Sequence, residues 1–205
     1  MNAVPGGLGW MYGRDLPLLS LTFARGLTPN QLLDRMGADP DTVAVRDRRT
    51  FDRDFEDLLL DEDGYVVQAG RHGAWSWAWE EGSRRCVEDR DLILRVSAGT
   101  EALVLHKNEK TMVDFRYARD GRLVTGINTL CGITADGRSG SSPDHFVARM
   151  RELGADPDNA PGPGIDEYGP LGCSGLFYRL AEDLGVVLPH EDLVTHPSLN
   201  GRLRG

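Results

Sequence analysis

The alternation of apolar and polar positions along the chain predicts six β-strands. Successive side chains of a strand point to opposite faces of a sheet, so a period of two marks a strand with one buried face. In the predicted hairpin, a turn at Arg71 and His72 sets Trp77 opposite Val66. The predicted strands cover residues 18–24, 65–69, 74–80, 102–108, 111–118 and 122–127.

The last three strands form a predicted antiparallel meander, whose first turn lies at residues 109–110. Pairing the strands through this turn sets Val104 and His106 beside Phe115 and Val113, on a face that we expect to be buried. His106 is then a hydrogen-bonded histidine of the core. Asp114 and Arg116 fall on the opposite face, which we expect to be solvated.

Helices are predicted where capping residues bracket an apolar stripe of helical period. Thr28, followed by a proline, opens the first helix, and Gly37 closes it in a left-handed conformation. An acidic helix follows with Phe51 and Phe55 turned inward. The last predicted helix covers residues 174–184 and ends before a glycine.

Together these elements predict the α+β class. We expect a single domain over residues 1–205, with a mainly antiparallel, twisted sheet of about five to seven strands covered mainly on one face by helices. Residues 1–17 are expected to be an irregular N-terminal segment. Residues 129–142 and 157–175 are rich in Gly, Pro and Ser and are expected to be long loops.

Three of the four tryptophans lie in the predicted hairpin, at Trp75, Trp77 and Trp79. Their spacing of two puts all three indoles on one face, while small residues on the other face would let a helix approach. Three bare indoles would expose about 450–750 Å² of apolar surface, which meets or exceeds the largest patch usual on a monomer. Two interpretations stay open: a second core layer, or a surface for a partner, a second copy or an apolar ligand. We expect Trp75 and Trp77 to be covered by protein and Trp79 to stay partly accessible.

Composition and charge restrict the classes of function. Hydrophobic residues make up 40% of the chain and the formal net charge is −9, which disfavours nucleic-acid binding through counterion release. No apolar run approaches the length of a membrane span, and the N-terminus lacks the pattern of a secretion signal. The three cysteines lie far apart without metal-type spacing. We therefore expect a cytoplasmic protein with reduced thiols, no metal, no cofactor, and no nucleic-acid or membrane partner.

Three segments of the chain together resemble one family. The first is L-S-L-T-F-A-R-G-L-T-P-x-x-L-L-x-R-M-G-A at residues 19–38, the second G-x-x-G-A-W-x-W-x-x-E-E at 70–81, and the third R-V-S-A-G-T-E-A at 95–102. In this order they are similar to an uncharacterised actinobacterial family, a domain of unknown function common in Streptomyces and its relatives. The resemblance implies a bacterial cytoplasmic α+β domain and carries over no catalytic residue.

Candidate binding residues follow from local charge. The run over residues 52–63 is strongly acidic, and it is either a solvated helix face or a patch for a basic partner or a cation. The residues that we expect to contact a protein partner are Trp75, Trp77, Trp79, Glu80, Glu81, Asp54, Asp57 and Asp61.

An anion site is the alternative. The loop residues Arg138, Ser139, Gly140 and Ser141 precede a predicted helix, where free backbone N–H groups favour anions. The loop lacks the lysine of a P-loop, and it could equally be a linker with an N-cap. The catalytic templates fail, because no G-x-S-x-G elbow or H-E-x-x-H pattern is present, so no catalytic residue is expected.

Two classes of function therefore remain. The first is a non-catalytic interaction module, of a regulatory, immunity or defence-associated kind, that binds a protein partner or a second copy through the tryptophan hairpin and the acidic patch. The alternative is a small-molecule-binding protein or enzyme that uses Glu80, Glu81 or the loop around Arg138. A deep pocket with two or more convergent ionisable groups would favour the alternative.

Overall fold

Nine antiparallel strands form one continuous sheet in the computed structural model, which describes residues 7–11, 18–61, 64–108, 113–159 and 167–204. In chain order they are β1 (Leu19–Arg25), β2 (Ala44–Arg46), β3 (Val66–His72), β4 (Trp75–Glu81), β5 (Glu101–Lys107), β6 (Val113–Arg119), β7 (Arg122–Asn128), β8 (Arg138–Ser139) and β9 (Ser198–Arg202). Across the sheet the order is β2-β9-β3-β4-β1-β5-β6-β7-β8. The predicted turn at 109–110 and most of the predicted N-terminal segment lie outside the described residues.

Seven helices accompany the sheet within the described residues. They are α1 (Pro29–Met36), α2 (Arg48–Leu59), α3 (Arg85–Glu88), α4 (Leu92–Val96), α5 (Val147–Glu152), α6 (Gly172–Asp183) and α7 (His190–Val194). The predicted caps of the first helix are confirmed: Thr28 and Gln31 form a reciprocal capping box, and Gly37 closes α1 at a φ of 86°. Phe51 and Phe55 are buried on α2, as its apolar spacing predicted.

Helices cover both faces of the sheet. The first face, called here the tryptophan face, carries Trp75 and Trp77 and packs against α5, α6 and a 3₁₀ turn at Leu8–Met11. The second, called the small-residue face, carries residues such as Ala78 and Ala102 and packs against α1, α3 and α4. The prediction of helices mainly on one face is therefore wrong. Both faces present apolar residues at alternate positions, and each buries them under its own helices.

The prediction of five to seven strands is also wrong, because the sheet has nine. The strands that were missed are β2, β8 and β9, which are three, two and five residues long. Runs this short show no measurable alternation, and β9 contains Asn200 and Gly201, residue types that are depleted in strands. Their pairing with longer neighbours, rather than local propensity, makes them strands.

The hairpin of β3 and β4 turns two residues later than predicted. The turn lies at Gly73 and Ala74, with Gly73 at a φ of 56°, so Trp77 faces Gly70 instead of Val66. This is a shift of four residues. Because four is an even number, every side chain stays on the face that was predicted for it.

The pairing of β5 with β6 differs from the prediction by one residue. His106 pairs with Asp114, while Phe115 pairs with Leu105. A shift of one residue turns a strand's side chains to the other face. The prediction that His106 shares a face with Phe115 is therefore wrong, and His106 shares a face with Asp114 and Arg116.

Candidate functional site

The tryptophan hairpin is part of the core. Trp75 is 1% exposed and Trp77 is 2% exposed, beneath α6 and the Leu8–Met11 turn. Trp79 is partly exposed and packs at the edge of the same cluster. The prediction that protein covers Trp75 and Trp77 while Trp79 stays partly accessible is confirmed, and the cover comes from the same chain. In this conformation only Trp79 offers a partner any surface.

The two glutamates that follow the tryptophans lie on opposite faces. Glu80 points to the small-residue face and is 1% exposed, so a partner cannot reach its carboxyl group. Glu81 lies near the surface, where it pairs with Arg48 of α2. That ion pair joins the end of the tryptophan hairpin to the acidic helix.

The three predicted acidic contact residues are exposed on α2 and just beyond it. Asp54, Asp57 and Asp61 all face solvent. Arg53 and Arg46 donate hydrogen bonds to the Asp54 carboxylate, which lowers the pKa of that group. The acidic surface is therefore partly neutralised by arginines of the same chain.

The residues of the predicted anion loop are held by contacts within the fold. The Arg138 side chain is 6% exposed, and its guanidinium binds the carbonyl oxygens of Ile133 and Pro157 and the carboxylate of Asp144. The Ser141 N–H donates to a carbonyl oxygen of the sheet at 3.0 Å. A methyl group on Gly140 would lie 2.5 Å from another backbone oxygen, so this segment packs too closely to enclose an anion. Ser139 lines the groove described below.

A row of polar side chains crosses five adjacent strands on the small-residue face. Cross-strand pairing of β4, β1, β5, β6 and β7 places these residues at one level of the sheet. Elsewhere the same face is built mainly from Ala and Val. Polar groups at buried positions are costly unless they are hydrogen-bonded, so a contiguous set marks a specialised region. This set, called the polar row, consists of Glu80, Ser20, His106, Asp114 and Asn128.

The hydrogen-bond directions in the row can be assigned. The Ser20 hydroxyl donates its one proton to the carbonyl oxygen of Ser83 at 2.6 Å. Because Ser20 Oγ also lies 2.9 Å from His106 Nδ1, the ring nitrogen must be the donor there. Burial lowers the pKa of His106 and favours the neutral ring, whose Nε2 then carries a lone pair. Ser20, His106 and Asp114 lie side by side on three adjacent strands, but a donor at His106 Nδ1 is opposite to the hydrogen-bond direction that activates a serine.

The β4 end of the row is closed. Ser83 donates a hydrogen bond to the Glu80 carboxyl at 2.5 Å, and the Cys86 N–H donates another at 2.9 Å. Burial nevertheless raises the pKa of Glu80. Burial, together with the charge of Glu80, also raises the pKa of the Cys86 thiol well above its ordinary value. A protonated, inaccessible thiol is a poor nucleophile, so this half of the row is structural.

The β7 end of the row is open. Arg116 donates two hydrogen bonds to the Asp114 carboxylate, at 3.0 and 3.2 Å, and Asn128 donates a third at 3.2 Å. Arg116 also donates to the carbonyl oxygen of Val87 on α3. These contacts hold a charged pair in place at the floor of a groove.

The groove has a volume of about 420 Å³ and lies between the α3–α4 segment and strands β6 to β8. Arg90 stands on its wall, is exposed, and forms no ion pair with the described part of the chain. Its neighbours differ, since Arg84 pairs with Glu88 and Arg95 with Asp89. The polar lining residues are Arg90, Asp91, Asp114, Arg116, Asn128 and Ser139, and the apolar lining residues include Ile93, Leu94 and Leu123. Four ionisable groups therefore meet at one concave, partly apolar surface.

Sequence reasoning missed Arg90, Asp114, Arg116 and Asn128 as site residues. The alternation of Asp114 and Arg116 on β6 was visible, but the predicted register assigned both to a solvated face, away from His106. The other sequence feature that could have indicated the groove is the glycine at position 126, which lies between Arg116 of β6 and Ser139 of β8. A methyl group there would lie 2.9 Å from Ser139 Oγ, so Gly126 keeps the groove floor low.

Two general properties of the described residues limit the chemistry. Within them, no cluster of three or more His, Cys, Asp or Glu side chains could hold a metal ion. None of their helices combines the length and the apolar character that crossing a membrane requires.

Comparison with known proteins gives a family and no further relatives. No curated protein matches the chain, and no solved structure matches it. The model of one family of unknown function matches residues 18–187, which include β1 to β8, the polar row and the groove. The chain therefore belongs to this family of unknown function, DUF6461.

Proposed function

We propose that this protein binds a small molecule in the groove beside the polar row, without catalysing its conversion. The observation that carries the proposal is the convergence of Arg90 and the Asp114–Arg116 pair on a cleft of about 420 Å³. Ligand pockets are concave, mostly apolar, and carry a few fixed polar groups. The groove combines apolar residues with fixed polar groups, and its floor is part of the central sheet.

The lining indicates the class of ligand. The Arg116 guanidinium pairs with the Asp114 carboxylate, so Arg90 is the cation of the groove that can pair with a ligand. A carboxylate or a similar anion would pair with this guanidinium. Leu94 and Leu123 would cover an apolar body next to that group. We therefore propose a ligand with one anionic group and an apolar body.

The test uses benzoate, its uncharged analogue benzamide, and acetate, which lacks the apolar ring. Benzoate should shift the amide NMR signals of Arg90 and Asn128 in a saturable manner, and the other two should bind more weakly at this position. Arg90→Gln should weaken benzoate binding roughly tenfold, because it removes a charge-assisted hydrogen bond. Arg84→Gln is the matched control, since Arg84 is exposed on the same side and pairs with Glu88.

Two results would contradict the proposal. One is benzoate binding that is unaffected by Arg90→Gln. The other is a set of shifts spread over the surface with no focus on the groove.

A protein partner is the second candidate, and the surface around Trp79 favours it. Trp79 is partly exposed, and the Arg48–Glu81 pair links it to the solvent side of α2. Leu60, at the end of α2, is 82% exposed beside Asp57 and Asp61. A net charge of −9 disfavours a second copy at this surface and favours a basic partner.

Capture from a host extract would test this second candidate. Trp79→Ala and the charge reversal Asp57→Lys should each remove the same captured protein, because one deletes an apolar anchor and the other a steering charge. Glu191→Lys, an exposed reversal on α7, is the control that should retain it. Equal capture by all three variants would eliminate this surface.

The biological setting is also inferred. Motif resemblance supports an actinobacterial origin, and three cysteines that form no disulfide support a reducing, cytoplasmic compartment.

A further inference from the structure

Strand β3 has an open edge near its end. β9 pairs with β3 from Val66 to Ala69, and Gly70 to His72 pair only with β4. Pro197, which precedes β9, lacks the N–H that would continue the pairing. A cleft of about 310 Å³ lies beside this open edge. It shares no lining residue with the groove at the polar row.

A buried hydrogen-bond donor borders this cleft. Trp77 Nε1 is almost fully buried and has no hydrogen-bond partner among the described residues. The same edge of the indole lies over Gly70, where a methyl group would come within 2.4 Å of the ring and 3.0 Å of Nε1. Both Trp77 and Gly70 line the cleft. A buried donor without a partner destabilises the fold, so a ligand that supplies an acceptor there gains binding free energy.

The carboxylate of Asp192, which lines the same cleft, can accept a further hydrogen bond. One oxygen of Asp192 lies 2.8 Å from His72 Nδ1. The other oxygen is 3.9 Å from His196 Nδ1, which is too long for a hydrogen bond. Asp192 can therefore accept a hydrogen bond from a ligand, and its negative charge disfavours a second anion beside it.

We propose that this cleft is a second binding site, for a small uncharged molecule that carries a carboxamide group. The carbonyl oxygen of the amide accepts from Trp77 Nε1, and its N–H group donates to Asp192. The apolar part of the ligand packs against Pro29, Pro197 and Leu199. The volume of 310 Å³ is at the lower end for ligand pockets and fits a single ring with an amide.

The experiment is an NMR titration of the intact protein with benzamide. The indole N–H signals of four tryptophans are few enough to resolve, and Trp77→Phe assigns the one of interest. Benzamide should move the Trp77 indole proton downfield and saturate, while benzoate should leave it unmoved. Trp77→Phe should weaken benzamide binding about fivefold, the loss expected for one neutral hydrogen bond. Trp79→Phe, which removes an indole N–H outside the cleft, should bind benzamide as the wild type does.

Several outcomes would overturn the inference. If the Trp77 indole signal does not respond to benzamide, the cleft is no carboxamide site. If Asp192→Ala leaves the affinity unchanged, the second contact is wrong. Because the wild-type titration needs no variant, a Trp77→Phe protein that fails to fold does not remove the test. Benzoate binding at the groove, followed through Arg90, is independent of all these results.

Discussion

The two faces of the central sheet bury very different side chains on the same strands. On β4, Trp75 and Trp77 enter a core of large apolar residues, while Glu80 enters the polar row on the other side. The tryptophan face is stabilised by apolar area and close packing, which are insensitive to pH. The polar row is stabilised by hydrogen bonds around groups whose pKa values are shifted, so its contribution changes with pH. The stability that the tryptophan face contributes should therefore stay constant with pH, whereas the stability that the polar row contributes should change with pH.

The largest expected effect comes from truncating the tryptophan face. Trp77→Ala should lower the free energy of unfolding by about 3–5 kcal/mol, because it leaves a large cavity under α6. Trp79→Ala should cost only about 1–2 kcal/mol, since that side chain is already partly exposed. Urea unfolding of both variants measures the difference. Equal costs would show that Trp79 belongs to the core as fully as Trp77 does.

Glu80 should make stability depend on pH. Burial raises its folded-state pKa above the unfolded value, so the unfolded state binds fewer protons in the interval between the two values. The free energy of unfolding should then fall as the pH rises from about 4.5 through the folded pKa, by about 1.4 kcal/mol for each unit of difference. Glu80→Gln removes this titration. Unfolding curves at a series of pH values should show its advantage over the wild type growing with pH, and parallel pH profiles would contradict the prediction.

His106 should give a smaller dependence of opposite sign. Burial lowers its pKa below 6.5, partly offset by Asp114, so the unfolded state binds more protons just below that pH. Stability is therefore full above pH 6.5 and is lost as the pH falls through the folded pKa. His106 is 7% exposed, against 1% for Glu80, so the effect should be the smaller of the two. His106→Gln, which retains a donor for Ser20, should flatten the wild-type decline below pH 6.5.

The two hairpins explain how much of this arrangement could be read from the sequence. The error at β3–β4 was four residues, and the faces of the tryptophans were still correct because the period of a strand is two. The error at β5–β6 was one residue, and it moved His106 to the wrong face. A single residue of register therefore separated His106 from Asp114 and hid the polar row.

The other corrections have a different cause. The capped helix α1 and the apolar stripe of α2 could be predicted because local residues determine them. The strands β2 and β9 depend on partners far away in sequence, as the pairing of β9 with both β2 and β3 shows, and β8 is a pairing of only two residues with β7. The groove at the polar row also depends on residues that are distant from one another in sequence. Arg90, Asn128 and Ser139 belong to separate segments, and no local pattern relates them.

The smallest expected effect on stability distinguishes a binding residue from a structural one. Arg90→Gln should change the free energy of unfolding by less than about 0.5 kcal/mol, because its guanidinium is exposed and forms no ion pair with the described residues. Arg95→Gln should cost up to about 1 kcal/mol, since Arg95 donates to Asp89 at 2.7 Å. Arg90 lies in the connection between α3 and α4, and Arg95 of α4 pairs with Asp89 of that connection, which makes them a matched pair. If Arg90→Gln is the more destabilising change, Arg90 stabilises the fold, and the unpaired cation on which the groove proposal depends is not available to a ligand.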